Sequence, residues 1–278
     1  MRVINIQMQS VPDVDANLTF VEAQMAACND IQGSLVLLPE CFAYFGGPDG
    51  MNLKIAEDLG HGPVQTRLSA LAKQHRCYLV AGSFPIATES GKRFKPMCLV
   101  FSPEGKRICE YQKIHLFDVE VADGTKQYRE SDSAEPGEML ACFDTPWGRV
   151  GLAICYDLRF AGLFQNLTQQ GAELIVLPSA FTQTTGAAHW HILLQARAIE
   201  NQVFVAGCNQ SGVHENGRET YGHSLVVDPW GTILIDAKEE IGAKGAVIDK
   251  DSLKAVRRKM PVSTHNRFNS RYVSHCKH

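Results

Sequence analysis

GLAICYDLRF, residues 151–160, opens as an apolar run that also takes in Val150 and ends at Cys155, where the pattern changes to Tyr-Asp-Leu-Arg. A short apolar run of this kind forms a buried strand, and the change of period after it marks a turn from strand into helix. Cys155 therefore stands at a strand end, where backbone N–H groups of the following helix point at it. Such groups lower a thiol pKa and also bind an oxyanion. Free cysteines are usually small buried apolar residues. That bland role is expected of the other eight, at 28, 41, 77, 98, 109, 142, 208 and 276.

Two further segments place a reactive group the same way. LVLLPE ends on Glu40, and EYQKIHLF carries Lys113 directly after a strand-like run. Burying an unpaired carboxylate costs several kcal/mol, so Glu40 is oddly placed unless it is used. Taken singly, Glu40 is a solvated strand end and Lys113 a surface lysine. Beside Cys155 they become a base, a cation and a nucleophile, the equipment for cleaving an amide through an acyl intermediate.

The alternation extends along the chain. Val3–Met8, Leu35–Leu38 and Tyr78–Ser83 are expected strands, with helices over Asn17–Cys28 and Val64–His75 between them. Met97–Phe101, the turn SPEGK and Arg107–Lys113 form an expected hairpin. The polar stretch Asp118–Glu138, with Gly124, Pro136 and Gly137, lacks periodicity and is expected to be a functional loop. Beyond it come strands at Leu140–Phe143, Arg149–Cys155, Leu174–Pro178, Val203–Asn209, His223–Val227, Thr232–Ala237 and Gly245–Asp249. Helices are expected near Gly162–Gln170 and Trp190–Asn201. The class is α/β with mixed sheets. No linker interrupts the 278 residues, so one domain over 1–278 is expected, with a tail from about residue 262.

The net charge of −3 gives a nucleic-acid backbone little to hold. Nine cysteines without a CxxC pair are expected as free thiols in a reducing cytoplasm. No stretch of about 18 apolar residues occurs, and a membrane partner is not expected. The phosphate-loop patterns are missing, and so is HExxH. His189 and His191 in HWH are too close for a helical i, i+4 metal pair, so a zinc site is not expected. His115, His189, His191 and His223 leave a Cys/His dyad open, and paired acids for glycoside chemistry are not excluded by spacing.

Pro39-Glu40, QKIHLFD around Lys113 and GLAICYDLRF together resemble the nitrilase superfamily of carbon–nitrogen hydrolases, which use a Glu–Lys–Cys triad. RESDSAEPGE (129–138), FDTPWGRVGLAICYDLRF (143–160), LPSAFTQTTGAAHW (177–190), ARAIENQ (196–202) and YGHSLVVDPWGT (221–232) resemble its Nit branch. The resemblance implies a four-layer αββα sandwich, with Glu40 as general base, Lys113 as transition-state stabiliser and Cys155 as nucleophile. It places Glu130 at the position of a second glutamate near the nucleophile, and the backbone N–H of Tyr156 in the oxyanion site. A thioester intermediate, no metal or organic cofactor, and a homodimer or higher homo-oligomer follow from the same likeness.

The Nit branch acts on ω-amides of 2-oxo acids, either 2-oxoglutaramate types or deaminated glutathione. Both need a cation for the carboxylate. Arg159 fits through its bidentate fork, although an arginine bonded to Asp157 or a neighbour is the open alternative. Phe181 and Thr185 would line the pocket from the loop after Leu174–Pro178. KIHLFDVEV, LPSAFTQTTG and YGHSLVVDPWG lean toward the deaminated-glutathione amidases. An ω-amidase, a nitrile hydrolase and a catalytically idle interaction module are the alternatives.

Overall fold

The computed structural model describes residues 1–48, 50–123, 125 and 127–273; the loop position Gly124 and the thiol expected at Cys276 lie outside the described residues. In chain order the strands are β1 (Arg2–Gln7), β2 (Leu35–Leu37), β3 (Tyr78–Ala87), β4 (Phe94–Phe101), β5 (Arg107–Gln112), β6 (Asp118–Glu120), β7 (Gln127–Arg129) and β8 (Cys142–Asp144). They continue as β9 (Arg149–Leu152), β10 (Leu174–Ser179), β11 (Phe204–Asn209), β12 (Ser211–Val213), β13 (Glu219–Tyr221), β14 (Leu225–Val227), β15 (Ile233–Asp236) and β16 (Gly242–Val247). The helices are α1 (Val14–Ala27), α2 (Met51–Ile55), α3 (Pro63–His75), α4 (Ala161–Gln169), α5 (Gln183–Asn201), α6 (Lys250–Lys259) and α7 (Val262–His265).

Two six-stranded sheets, ordered β16-β1-β2-β3-β4-β5 and β15-β14-β11-β10-β9-β8, lie face to face. Each is mixed: β1 runs parallel to β2 but antiparallel to β16, and β10 runs parallel to β9 and β11 while β14 runs antiparallel to β11. The period of two in the strands sorts their side chains. Val3, Leu35 and Leu37 join Leu152, Ile154 and Val176 between the sheets. Ile4, Ile6, Val36 and Leu38 turn outward onto Leu18, Val21 and Met25 of α1 and Leu68 of α3. Trp190, Leu194 and Phe164 bring α5 and α4 onto the outer face of the second sheet. The result is the four-layer αββα sandwich that the resemblance implies. Asn5 points into the inter-sheet space, where its Nδ2 donates to the carbonyls of Gly207 and Leu225 at 3.1 Å each, while its Oδ1 has no hydrogen-bond partner among the described residues.

Several elements differ from the sequence pattern. Helix α1 starts at Val14 because the Asp13 side chain caps it, accepting from Ala16 N–H at 3.0 Å. Strand β3 runs past Ser83 to Ala87, with a register irregularity between Ala81 and Phe84. Gly82 lies inside it at φ +39°, and a Cβ there would collide with the carbonyl oxygen of Pro39. Only glycine lets β3 approach the backbone that carries Glu40 so closely. The Asp118–Glu138 stretch is not a bare loop: it folds into the β6–β7 hairpin and a 3-10 turn over Glu130–Asp132. Helix α5 begins at Gln183, capped by Thr182, so Thr185 belongs to its first turn and not to a loop. Helices α2, α6 and α7, and the β12–β13 hairpin, carry too few buried side chains for periodicity to reveal them.

Candidate active site

Glu40, Lys113, Glu130, Cys155, Tyr156, Arg159, Phe181 and Thr185, all the site residues expected from the sequence, line one cavity of about 510 Å³. Glu40 follows β2, which is extended by a bond from Leu38 N–H to Val80 O at 3.0 Å. Both of its carboxylate oxygens are fixed. Oε1 accepts from Lys113 Nζ at 2.7 Å and Oε2 accepts from the Ala180 N–H, just beyond β10, at 2.9 Å. Lys113 leaves the end of β5, its N–H held by Pro96 O at 3.0 Å. Its Nζ reaches Glu130 Oε2 at 2.8 Å, and that oxygen also accepts from Phe117 N–H at 2.7 Å.

The ammonium is thus buried between two carboxylates. Burial by itself pushes Lys113 toward deprotonation, but the negative charges of Glu130 and Glu40 outweigh it and hold its pKa well above the ordinary value. Burial, helped by Glu40, raises the Glu130 carboxyl, with the Lys113 charge opposing. The site thus holds a protonated lysine between two carboxylates.

Cys155 opens a 3-10 turn over Cys155–Arg159, not an α-helix, and sits in the left-handed region at φ +45°. A residue other than glycine stays there only when its surroundings over-determine it. Asp157 does this. Fully buried, it accepts from Ile154 N–H at 2.8 Å, Tyr111 OH at 2.7 Å and His115 N–H at 3.1 Å, and bonds the His115 ring at 2.7 Å. The sequence gives Asp157 no distinction from a helix-start acid, since apart from the Ile154 N–H its partners come from β5 and the segment after it.

The expectation of a lowered thiol pKa at Cys155 is corrected. Burial first, then the charge of Glu40, pushes the thiol well above its usual range, and the Lys113 ammonium and the Ala180 amide offset this only in part. The short 3-10 turn supplies less dipole than an α-helix would. Cys155 is therefore held as a thiol beside a carboxylate that can accept its proton. Cys41 lines the same cavity, but burial and Glu40 push its thiol up to about 12. Nothing in LVLLPEC marks Cys41 as a cavity residue.

None of His115, His189, His191 and His223 lines the cavity. His115 stacks on Phe160 with ring centroids 3.6 Å apart and is tied to Asp157, so the Cys/His dyad finds no support. Arg159 does not pair with Asp157. Its guanidinium lies over the rings of Tyr156 (5.7 Å) and Phe181 (5.5 Å), with Nη1 3.3 Å from His189 Nδ1. It makes no ion pair with a carboxylate among the described residues, which leaves its charge for a ligand. Phe181 packs on Trp190 at 4.8 Å between centroids and faces the cavity as well, and the Thr185 hydroxyl bonds that of Thr182 at 2.9 Å. A second arginine, Arg218 beside the β12–β13 hairpin, lines the cavity over the ring of Tyr128 at 5.2 Å. The sequence gives no sign of it, because a half-buried arginine in a turn carries no signal of its own.

Glu130→Gln tests the second carboxylate. It keeps the shape but weakens the bond to the ammonium, and a hydrogen bond to a charged group contributes roughly 1.5–3 kcal/mol. Turnover by any amidase activity is expected to fall by about 10- to 100-fold with KM little changed. A kcat within twofold of wild type in steady-state kinetics would show Glu130 idle.

Residues 2–258 match the family model described as carbon-nitrogen hydrolase. A "deaminated glutathione amidase" of Yersinia enterocolitica is 42% identical over 270 residues, covering 96% of this chain and 93% of that protein. The "omega-amidase NIT2" of Homo sapiens is 41% identical over 230 residues, 82% of this chain and 81% of that one. The crystal structure of Saccharomyces cerevisiae Nit3, described as a member of branch 10 of the nitrilase superfamily, superposes with a TM-score of 0.85 at 33% identity, covering 96% and 97% of the two chains.

Proposed function

Because this chain belongs to the carbon–nitrogen hydrolase family, and so is a hydrolase acting on carbon–nitrogen bonds other than peptide bonds, we propose that it cleaves the amide of a 2-oxoglutaramate-type group through a Cys155 thioester. The observation that carries this reading is the Lys113 ammonium held between Glu40 and Glu130 beside the Cys155 thiol in one cavity. Glu40 takes the thiol proton as sulfur attacks the amide carbon, and the oxyanion is held by Lys113 and the Tyr156 N–H. The carbon–nitrogen bond then breaks, and the amine leaves with the proton from Glu40. Water gives a proton to the same glutamate, its oxygen attacks the thioester, and the acid departs as the thiol is restored. Glu130 keeps the ammonium in place and positions the incoming water. No cofactor takes part in this scheme.

The substrate we favour is deaminated glutathione, yielding 2-oxoglutarate and Cys-Gly. It carries a carboxylate at each end, and the cavity offers two guanidinium groups, Arg159 and Arg218. The similarity to relatives named for that activity supports the same choice. The ω-amidase reading, with 2-oxoglutaramate or 2-oxosuccinamate as substrate, rests on the relatives of that name. We place the protein in a reducing cytoplasm, supported by eight unpaired cysteines among the described residues. No helix among those residues is long and apolar enough to cross a membrane. A homodimer or higher homo-oligomer, formed through the helices flanking the nucleophile, is supported by exposed Ile192 and Ile199 on α5.

A panel of amides of 2-oxo acids, scored by kcat/KM, tests the substrate. Deaminated glutathione is expected to exceed 2-oxoglutaramate by about tenfold or more, the value of one charged contact. The reverse order selects the ω-amidase, and faster turnover of a nitrile with the same acyl group overturns the amide class. Arg159→Met is expected to raise KM by roughly tenfold or more with kcat less affected, as loss of a binding charge does.

A further inference from the structure

We infer that His191, His223 and Asp236 form a binding site for a divalent transition-metal ion of the zinc type, separate from the active-site cavity. His191 lies on α5, His223 just before β14, and Asp236 ends β15. One ring nitrogen of each histidine and one carboxylate oxygen lie within 4.8 Å of one another. None of the three lines the cavity that holds Cys155.

The spacing is that of a coordination polyhedron. His223 Nδ1 and His191 Nε2 stand 3.2 and 3.3 Å from the same atom, Oδ2 of Asp236. Ligands held at about 2.0–2.1 Å in a tetrahedron are separated from one another by about 3.3 Å. Each imidazole nitrogen thus already stands at that distance from the shared carboxylate oxygen, and all three donors lie within 4.8 Å of one another. Two imidazoles and one carboxylate suit zinc and its neighbours, with a fourth position for water, whereas calcium and magnesium prefer all-oxygen sets.

The surroundings hold the donors in place. Asp236 Oδ1 accepts from the Lys238 N–H at 2.8 Å, which orients the carboxylate. His223 sits in the left-handed region at φ +54°, its N–H donating to Lys238 O at 2.5 Å and its carbonyl accepting from Trp190 Nε1 at 2.7 Å. Tyr221 stacks on the His223 ring at 4.4 Å. Such a backbone conformation persists only when its neighbours enforce it. Side-chain exposures of 27% for His191 and 18% for both His223 and Asp236 leave room for an ion to enter. The Lys238 ammonium, 3.9 Å from Oδ2 and well exposed, is the cation an incoming metal displaces.

A bound ion takes the lone pairs of His191 Nε2 and His223 Nδ1, with each ring's N–H on its other nitrogen. The ion would fasten α5, whose cap Thr182 and first-turn Thr185 line the cavity, to the β14–β15 hairpin.

The test is titration of chelator-stripped full-length protein, with its cysteines kept reduced, using ZnCl2 and CoCl2. Expected are one equivalent of bound ion, a cobalt spectrum without thiolate charge-transfer bands, and a Tm raised by zinc. His191→Gln and Asp236→Asn should each weaken zinc binding by about tenfold or more and abolish the Tm rise. His191→Gln, on a helix surface, decides the matter should Asp236→Asn fail to fold. The proposal is overturned by the absence of stoichiometric binding, by binding undiminished in His191→Gln, or by thiolate bands that place the ion on cysteines. Each readout is independent of amidase activity.

Discussion

Cys155→Ala is expected to lower amide turnover by about four orders of magnitude or more while leaving the fold in place. With the sulfur gone no acyl-enzyme forms, and what remains is the binding and oxyanion stabilisation that survive loss of a nucleophile. The stability effect should be small, because the exchange removes one atom from a site that is otherwise polar, and the turn is held by Asp157 through Ile154, Tyr111 and His115, not by the thiol. Release of Cys-Gly or ammonia by wild type and variant, with a melting curve for each, checks both halves. Turnover within tenfold of wild type would exclude a covalent role for Cys155, and a catalytically idle protein would show no turnover in either.

Lys113→Met is expected to damage activity and stability together. It removes the cation from the oxyanion site, where a single lost donor costs roughly 100- to 1,000-fold in kcat. It also leaves Glu40 and Glu130 buried without their shared partner, and breaking a buried pair from one side costs about 3–5 kcal/mol. For a chain of this size that corresponds to a fall in Tm of roughly 10 °C.

The pH dependence has a definite sign. Glu130 is already raised by burial and by the charge of Glu40, and loss of the ammonium raises it further. A carboxyl whose folded pKa lies above its unfolded value favours the folded state below the unfolded pKa, and that contribution is lost as pH rises through the folded one. The deficit of Lys113→Met against wild type should therefore be larger at pH 8 than near pH 5, in urea unfolding at both values. Adding Glu130→Gln should restore part of the loss, since the two sites share one interaction. A deficit below about 1 kcal/mol, or one independent of pH, would show that the ammonium does not hold the two carboxylates.

Much of the architecture is carried by local pattern. The apolar runs at Val3, Leu35, Val150 and Leu174 are strands because both faces of their sheets are covered, and such burial writes itself into consecutive residues. The ends of those runs expose Glu40, Lys113 and Cys155 as three reactive groups in like positions, while the family likeness joins them and adds Glu130. Elements with little buried surface leave no such trace: α2 and α6 carry almost no buried side chains, and the short β6–β7 hairpin lies in a polar stretch without periodicity. Helix α5 reaches back to Gln183, past the Trp190 start that its periodicity predicts, because Thr182 caps it.

What the chain order alone determined is therefore the succession of strands and helices, and the chemical kinds of group available at their ends. Tertiary structure decided which groups meet and in what state. Glu40 and Lys113 are 73 residues apart, and Glu40 and Ala180 are 140 apart, yet they share one carboxylate's hydrogen bonds. The raised Cys155 thiol, the placing of the Arg218 guanidinium over Tyr128 in the cavity wall, and the meeting of His191 with Asp236 depend on desolvation and on charges from distant strands. Those forces act through space over a few ångströms, so no spacing along the chain encodes them.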